Sequence, residues 1–127
     1  MIARIWHGTV PVEKSEEYHR YLQKTGLRDY KLTPGNKATF LLKKMDGKLV
    51  HFITLTFWQD FTAIKKFAGN DLEKARYYSE DEYYLTEKES FVSHYEILES
   101  QMENIGESIS DSLMIKTFFQ RPFLYYR

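Results

Sequence analysis

The sequence predicts one α+β domain, built from a single sheet and the helices that pack against it. Residues 49–58 form an apolar, β-branched and aromatic run that is typical of a central strand. Residues 61–68 follow it directly and repeat apolar side chains at helical spacing. A chain of 127 residues is long enough for one hydrophobic core but not for two.

The composition excludes several classes of protein. Eighteen basic and 18 acidic residues give a formal net charge of zero, so bulk electrostatics do not favour binding to nucleic acid. The chain has no cysteine, hence no disulfide framework and no thiolate chemistry. We recognise no signal peptide and no apolar run long enough to span a membrane, so we expect a cytoplasmic protein.

The first half of the chain predicts a strand, a helix and a second strand. Residues 2–10 form the first strand, which Pro11 ends, and residues 12–24 form a helix that stops at Gly26. Residues 27–36 are a connection whose Thr33-Pro34-Gly35-Asn36 sequence is typical of a type II turn. Residues 37–45 carry two adjacent lysines, as an edge strand does.

The second half predicts a strand, a helical region and a last strand. Asp46-Gly47 is a hairpin signal that leads into the central strand, and Asp60 is a helix N-cap after it. Asn70 and Glu73 resemble a capping box, which predicts a further helix, and residues 79–82 are acidic and expected in solvent. Residues 90–98 form the last strand. This order is the βαββαβ, ferredoxin-like arrangement.

The two faces of the predicted sheet differ in character. One face mixes aromatic and polar side chains: Arg4, Trp6, Thr54, Thr56, Trp58, His94 and Glu96. We predict that Trp6 lies opposite His94 and Arg4 opposite Glu96, and that the first and third strands are parallel. The other face is more apolar and should receive the helices: Ile5, Ile53, Leu55, Phe57, Phe91, Tyr95 and Ile97. The mixed face would then line a ligand cavity or the inside of a barrel made by two subunits, or form an ordinary dimer interface.

Three stretches, MIARIWHG, TFW followed by FAG, and SHYEI, occur in an order that resembles the antibiotic biosynthesis monooxygenase superfamily. The resemblance covers residues 1–99 and is strongest to small members of unknown activity. It implies a ferredoxin-like domain over residues 1–99 that forms a homodimer, a dimeric α/β barrel, with a pocket between sheet and helices in each subunit. Members include oxygenases and haem-degrading enzymes, so the fold alone does not fix the activity.

Five residues are candidates for the site, because of the face on which they lie or because of the resemblance. Trp58 ends the central strand, where a pocket needs a flat wall with one donor, and it matches a tryptophan of polyketide-oxidising members; a core role is the alternative. The resemblance places Thr54 at those members' asparagine and Tyr77 in the segment of their pocket tyrosine. Trp6 shares the mixed face. His94 is the candidate catalytic base because of its position and its intrinsic pKa range, with a structural role as the alternative.

The resemblance implies an oxidoreductase, a monooxygenase that acts without a cofactor on a small phenolic or quinol substrate. A non-catalytic module that binds a small apolar or aromatic ligand is the alternative, and a structural partner protein is a third. Haem degradation is disfavoured, because Tyr77 occupies the position expected for the axial histidine, although tyrosine can ligate ferric haem. The four histidines lie on different elements without metal-ligand spacing.

Residues 100–127 extend beyond the resemblance. They begin polar and end in the strongly apolar sequence LMIKTFFQRPFLYYR, which contains only three basic residues. We therefore expect residues 111–127 to dock on a barrel rather than on a membrane surface. Both the chain's own barrel and the partner's are open, and we favour the partner's.

Overall fold

The computed structural model describes residues 1–101, so the predicted C-terminal extension lies almost entirely outside the described residues. The elements, in chain order, are β1 (Ile2–Pro11), α1 (Ser15–Lys24), α2 (Gly26–Leu32), β2 (Asn36–Asp46), β3 (Leu49–Trp58), α3 (Phe61–Ala68), α4 (Asp81–Tyr84) and β4 (Ser93–Glu96). A 3-10 turn over Val12–Lys14 precedes α1. None of the helices in residues 1–101 is both long and apolar enough to cross a membrane.

The four strands form one sheet in the order β2-β3-β1-β4, and every neighbouring pair is antiparallel. This order confirms the α+β, ferredoxin-like prediction. The predicted parallel pairing of the first and third strands is wrong. The crossover through α1 and α2 makes β2 run parallel to β1. The tight hairpin then reverses the chain, so β3 is antiparallel to both β2 and β1.

The predicted register between the first and last strands is also wrong, by two residues. Arg4 lies opposite His94 and Ile2 opposite Glu96, and the pairing of β1 with β4 ends at Ile5. Because side chains alternate with a period of two, a two-residue shift leaves the same residues on the same face. Trp6 and His94 therefore share a face without being partners.

The helices cover the mixed face of the sheet, whereas the sequence predicted that they would cover the more apolar one. Trp6, Thr54, Thr56 and Trp58 are all buried beneath them. The polar groups of this face have partners: Trp58 Nε1 donates to Thr56 Oγ1 at 2.8 Å, and the Thr54 hydroxyl lies 3.0 Å from that of Tyr30. Once its polar atoms are hydrogen-bonded, a face with two tryptophans is as suitable a core as an aliphatic one.

The opposite face of the sheet, called the open face below, remains partly exposed in residues 1–101. Leu42 is 44% exposed and Tyr95 is 59% exposed. The apolar side chains of the open face are Ile5, Phe40, Leu42, Ile53, Leu55, Phe57 and Tyr95. A continuous apolar surface of this kind normally has a cover.

The connection predicted after Gly26 is in fact a second helix. Thr25, at φ −123° and ψ −98°, separates α1 from α2. The predicted turn at residues 33–36 is confirmed: Asn36 N donates to Thr33 O, and Gly35 has a φ of 95°. A Cβ on Gly35 would also lie 2.3 Å from that of Ala63, so glycine is required there for two reasons.

The N-cap prediction for α3 is confirmed, but the helix predicted from residue 70 is absent. Asp60 accepts a hydrogen bond from Ala63 N at 2.8 Å, as an N-cap should. In the later segment, Ala75 N donates to Ser90 O and Val92 N donates to Glu73 O. These long-range bonds hold residues 73–75 in an extended conformation beside residues 90–92, and β4 is correspondingly shorter than predicted.

Candidate ligand site

A cavity opens between the helix-facing side of the sheet and the helices. With its mouth to solvent it contains about 440 Å³ of empty space, of which about 30 Å³ accepts the centre of a water molecule. That is room for about two waters. Its lining is Arg4, Trp6, Tyr18, Leu22, Thr25, Gly26, Leu27, Tyr30, Thr54, Phe67, Arg76, Tyr77, Tyr78, Asp81 and Val92.

The cavity borders both hydrophobic clusters of the core. One cluster contains Trp6, Tyr18 and Leu22, and the other contains Tyr30 and Phe67. Every one of these five side chains also lines the cavity. Four of these five side chains are aromatic, so the site has flat, rigid walls on which a planar ring could stack.

Arg4 is buried on β1, with only 1% of its surface exposed. Its Nη1 donates to the carbonyl of Leu72 and to Nε2 of His94, both at 2.9 Å, and its Nη2 donates to the carbonyl of Lys74 at 3.2 Å. Its Nε is buried and has no hydrogen-bond partner. Burial lowers the pKa of this guanidinium, and the neighbouring Tyr30 hydroxyl acts in the opposite direction.

Asp81 provides a buried carboxyl group on the lining, 5% exposed. Its Oδ1 accepts a hydrogen bond from the Tyr18 hydroxyl at 2.9 Å, and its Oδ2 accepts one from Tyr78 N at 2.6 Å. Burial raises the pKa of Asp81, although these two hydrogen bonds act in the opposite direction. The sequence had predicted that residues 79–82 are solvated, and for Asp81 this is wrong.

Trp6 and Tyr77 form a second hydrogen-bonded pair in the lining. Trp6 Nε1 donates to the Tyr77 hydroxyl at 3.2 Å, and that hydroxyl donates to the carbonyl of Glu89. The two rings meet edge to face, with centroids 6.4 Å apart. Burial raises the pKa of Tyr77, so its hydroxyl remains a neutral donor.

A network of charged and aromatic side chains borders the helix side of the cavity. Arg76 Nη2 lies 3.2 Å from Asp29 Oδ2, and the Tyr78 hydroxyl donates to the same oxygen at 2.6 Å. Arg76 also stacks over Phe67, with its Cζ 4.8 Å from the ring centroid. Arg76 thus has a carboxylate partner, which Arg4 lacks.

The structure brings three of the five predicted site residues together. Trp6, Thr54 and Tyr77 line the cavity. Trp58 is fully buried in the cluster with Tyr30 and Phe67 and is not part of the lining. His94 is not part of the lining either, and its ring contacts Arg4. The roles of Trp58 as a pocket wall and of His94 as a base stay predictions.

Several lining residues were not predicted from the sequence. Arg4 was placed on the correct face but opposite Glu96, and Tyr18 had no assignment beyond its place on the predicted helix of residues 12–24. A position on the face that points to the core is the sequence feature that could have identified both. Tyr30 fell in a segment predicted as a connection and Asp81 in an acidic run, so neither had a local signal.

The fold and this cavity define a ferredoxin-like α+β protein with an aromatic site between sheet and helices. Within residues 1–101, no group of three His, Asp or Glu side chains is placed to hold a metal ion. No family model matches the chain, and no curated protein matches it.

One solved structure to which the chain is similar is that of a MhuD mutant with two manganese protoporphyrin IX molecules bound per active site. The identity is 17%, the TM-score is 0.50, and the match covers 77% of this chain and 95% of that chain. A likeness at this identity establishes the fold and does not transfer an activity.

Proposed function

We propose that this protein binds a small phenolic or quinol molecule in the cavity and oxidises it as a monooxygenase without a bound cofactor. The observation that carries the proposal is the lining, in which four tyrosines and Trp6 surround the Thr54 hydroxyl and a buried carboxyl group. Membership of the antibiotic biosynthesis monooxygenase superfamily, which the sequence resemblance implies, is part of this proposal. The cavity has room for about two waters, so binding requires the lining to open, and a single-ring substrate requires the least opening.

Asp81 is the group we propose as proton acceptor. Each of its oxygens accepts one hydrogen bond and retains a second lone pair that a substrate hydroxyl could use. Its pKa is raised by burial, which moves a carboxylate towards the range in which a general base is most effective at neutral pH. Trp6 and Tyr77 would form walls, and Thr54 would donate its proton to the Tyr30 hydroxyl and offer its own oxygen to a substrate hydroxyl.

The proposed reaction balances without a further reductant. A phenol with an unsubstituted para carbon loses two hydrogens, gains one oxygen atom from O₂ and becomes a quinone. The second oxygen atom leaves as water with those two hydrogens. The deprotonated substrate supplies all the electrons, so the protein only has to bind the ring, accept a proton and exclude water.

The test is oxygen uptake with a panel of single-ring phenols and quinols, with and without air, followed by mass spectrometry for one added oxygen atom. Asp81→Asn should lower the turnover rate by roughly 100-fold or more, because a positioned base is lost. Asp71→Asn removes an exposed carboxylate and serves as the matched control. If Asp81→Asn turns over the substrate as fast as the wild type, Asp81 is not the base. If no substrate of the panel causes oxygen uptake, the protein is not the proposed monooxygenase.

The second candidate function is binding without turnover, which is favoured by the same lining and requires no base. Ligand binding that consumes no oxygen would support it. Haem degradation has less support, because the Tyr77 hydroxyl donates to the carbonyl of Glu89, and because a porphyrin would require a far larger opening of the cavity than a single ring does.

A homodimer is the assembly we propose, with the open faces of two sheets packed together. From the sequence, the mixed face was expected to line a ligand cavity, the inside of the barrel or a dimer interface. The helices cover that face, and the apolar open face is the one that requires burial. Sedimentation should detect a dimer at micromolar concentration, and Ile53→Glu should dissociate it. Leu32→Glu changes an exposed leucine of α2 and should leave the dimer intact.

We also propose a cytoplasmic location and docking of the C-terminal residues on a barrel. A cytoplasmic location is suggested by composition alone, and cell fractionation tests it. Docking of residues 111–127 on a barrel is suggested by their apolar side chains. Deleting them should then promote aggregation or weaken the dimer, and a truncated protein that stays dimeric and equally heat-stable would refute docking.

A further inference from the structure

Arg4 is the one buried basic residue within residues 1–101, and no ion pair of this region includes it. A buried guanidinium normally has a carboxylate partner, because transfer of an isolated charge out of water is costly. Here it has two main-chain carbonyls and one imidazole lone pair instead. These are dipoles. The carboxylate of Glu73 acts on the guanidinium from a distance and forms no ion pair with it, so no carboxylate contacts the positive charge at the cavity.

The hydrogen bonds of Arg4 also leave it with donors to spare. A guanidinium has five N–H groups. Two of them, both on Nη1, donate to Leu72 O and His94 Nε2, and one on Nη2 donates to Lys74 O. The Nε–H is buried without a partner. An unmade hydrogen bond at a buried charged donor is costly, so a ligand that supplies the acceptor gains that free energy on binding.

We propose that Arg4 binds an oxyanion, either a carboxylate or an ionised phenol, carried by the small aromatic ligand of this cavity. The inference rests on the proposed function for the location of the ligand. Arg4 supplies the positive charge and the free Nε–H, and the Tyr30 hydroxyl, which lies beside the guanidinium and also lines the cavity, supplies a second donor. The aromatic walls then hold the ring of the ligand.

The other cation on the lining is less suited to this role. Arg76 already has Asp29 as a carboxylate partner at 3.2 Å, and its side chain is 37% exposed. A pair of that kind gains little from a second anion, and solvent screens it. Arg4 is therefore the cation of the lining that no carboxylate contacts.

The experiment compares neutral and anionic probes of the same shape by calorimetry. Benzoate and benzamide form the carboxylate arm, and the full-length protein should bind benzoate roughly 10- to 100-fold more tightly, as expected for hydrogen bonds to a charged group. In the phenol arm, 4-nitrophenol is monitored by absorbance, and its bound form should ionise at a lower pH than its free form. The arm with the larger effect identifies the oxyanion.

Variants assign the effect to one arginine. Arg4→Gln should abolish the preference for benzoate, and Arg4→Lys should retain part of it, because lysine keeps the charge but not the planar fork. Arg28→Gln removes an exposed arginine outside the lining and should leave the preference intact. Loss of the preference in Arg76→Gln with Arg4→Gln unaffected would overturn the assignment.

The wild-type protein alone can also overturn the inference. If it binds benzoate and benzamide equally and 4-nitrophenol ionises at the same pH bound and free, Arg4 only holds residues 72–74 in place. The proposed function would still stand in that case, because aromatic ligands bind. If no probe binds at all, both the inference and the proposed function fail. The wild-type comparison decides the matter even if Arg4→Gln does not fold.

Discussion

Arg4 fixes the tautomer of His94 through a contact of 2.9 Å between Nη1 and Nε2. Arginine has only donors, so Nε2 must be the acceptor and the ring proton of neutral His94 is on Nδ1. That Nδ1 is buried and has no hydrogen-bond partner, with the nearest carboxylate, Glu73, 3.7 Å away. His94 could accept a substrate proton at Nε2 only if this contact opened.

The first prediction follows from the pKa of His94, which is lower than its ordinary value. Burial is the larger cause, and the charge of Arg4 is the next. The unfolded chain therefore binds a proton at a higher pH than the folded chain does. Stability should fall as the pH drops through the ordinary range of histidine, about 6.5, and level off below the lowered pKa.

His94→Gln keeps an acceptor for Arg4 but does not titrate, so its free energy of unfolding should fall less between about pH 7 and 5. Urea denaturation over that range measures the difference. His19→Gln changes an exposed histidine of α1 and should behave like the wild type. Equal slopes for the wild type and His94→Gln would show that His94 does not titrate as proposed.

The second prediction concerns the two faces of β3. Trp58 is fully buried beneath the helices, whereas Phe57 points to the open face and contacts Phe40 edge to face. Trp58→Ala should therefore cost about 3–5 kcal/mol of stability, and Phe57→Ala less. The sequence analysis placed Phe57 beneath the helices and Trp58 on the other face, which would make Phe57→Ala the more costly change.

Urea denaturation at several protein concentrations measures both variants, because a dimer through the open face would make the cost at Phe57 depend on concentration. A greater cost for Phe57→Ala in the monomer would contradict the position of Phe57 on the open face and of Trp58 beneath the helices.

The third prediction concerns Gly8, which makes room for the indole of Trp6. A Cβ at Gly8 would lie 2.6 Å from two carbons of that ring and 2.9 Å from Leu85 Cδ2. Gly8→Ala should displace the ring, cost about 1–3 kcal/mol and change the tryptophan fluorescence. At Gly26 a Cβ would meet nothing within 4 Å, so Gly26→Ala should be neutral or slightly stabilising. An unchanged spectrum for Gly8→Ala would show that the ring adapts without moving.

The sequence predicted those parts of the fold that local chemistry determines. β3 has the predicted bounds, Asp60 caps α3, and Gly35 occupies the predicted turn, because apolar pattern, capping and positive φ are local properties. The facing of the sheet and the end of β4 were missed. They depend on whether the polar atoms of one face find partners, and those partners come from segments distant in the chain.

The candidate site was predicted only in part for the same reason. Trp6 and Thr54 could be placed together because both point to one face of adjacent strands. Asp81 meets Tyr18 across 63 positions of sequence, and residues 73–75 pair with residues 90–92 instead of forming a helix. Nothing in the acidic run around Asp81 distinguishes the one buried carboxyl group from its solvated neighbours.

The last prediction tests Asp81 through stability rather than activity. Burial raises its pKa in the folded chain, so between the ordinary pKa and the raised one the folded state binds more protons than the unfolded state. This group alone therefore makes the protein more stable as the pH falls through the raised pKa, which is the opposite sign to His94. Asp81→Asn should remove that contribution.

Tyr18→Phe provides the second variant for this test. It keeps the ring in the core but removes the hydroxyl that donates to Asp81 Oδ1 at 2.9 Å. We expect a loss of about 1–3 kcal/mol near neutral pH, where the carboxylate loses a hydrogen bond, and a smaller loss in acid, where the carboxyl group is neutral. Urea denaturation from pH 4 to 7 measures both variants. A loss in Tyr18→Phe that is the same at every pH would mean that Asp81 does not change its charge in this range, and its proposed role as a base near neutral pH would then have no support from titration.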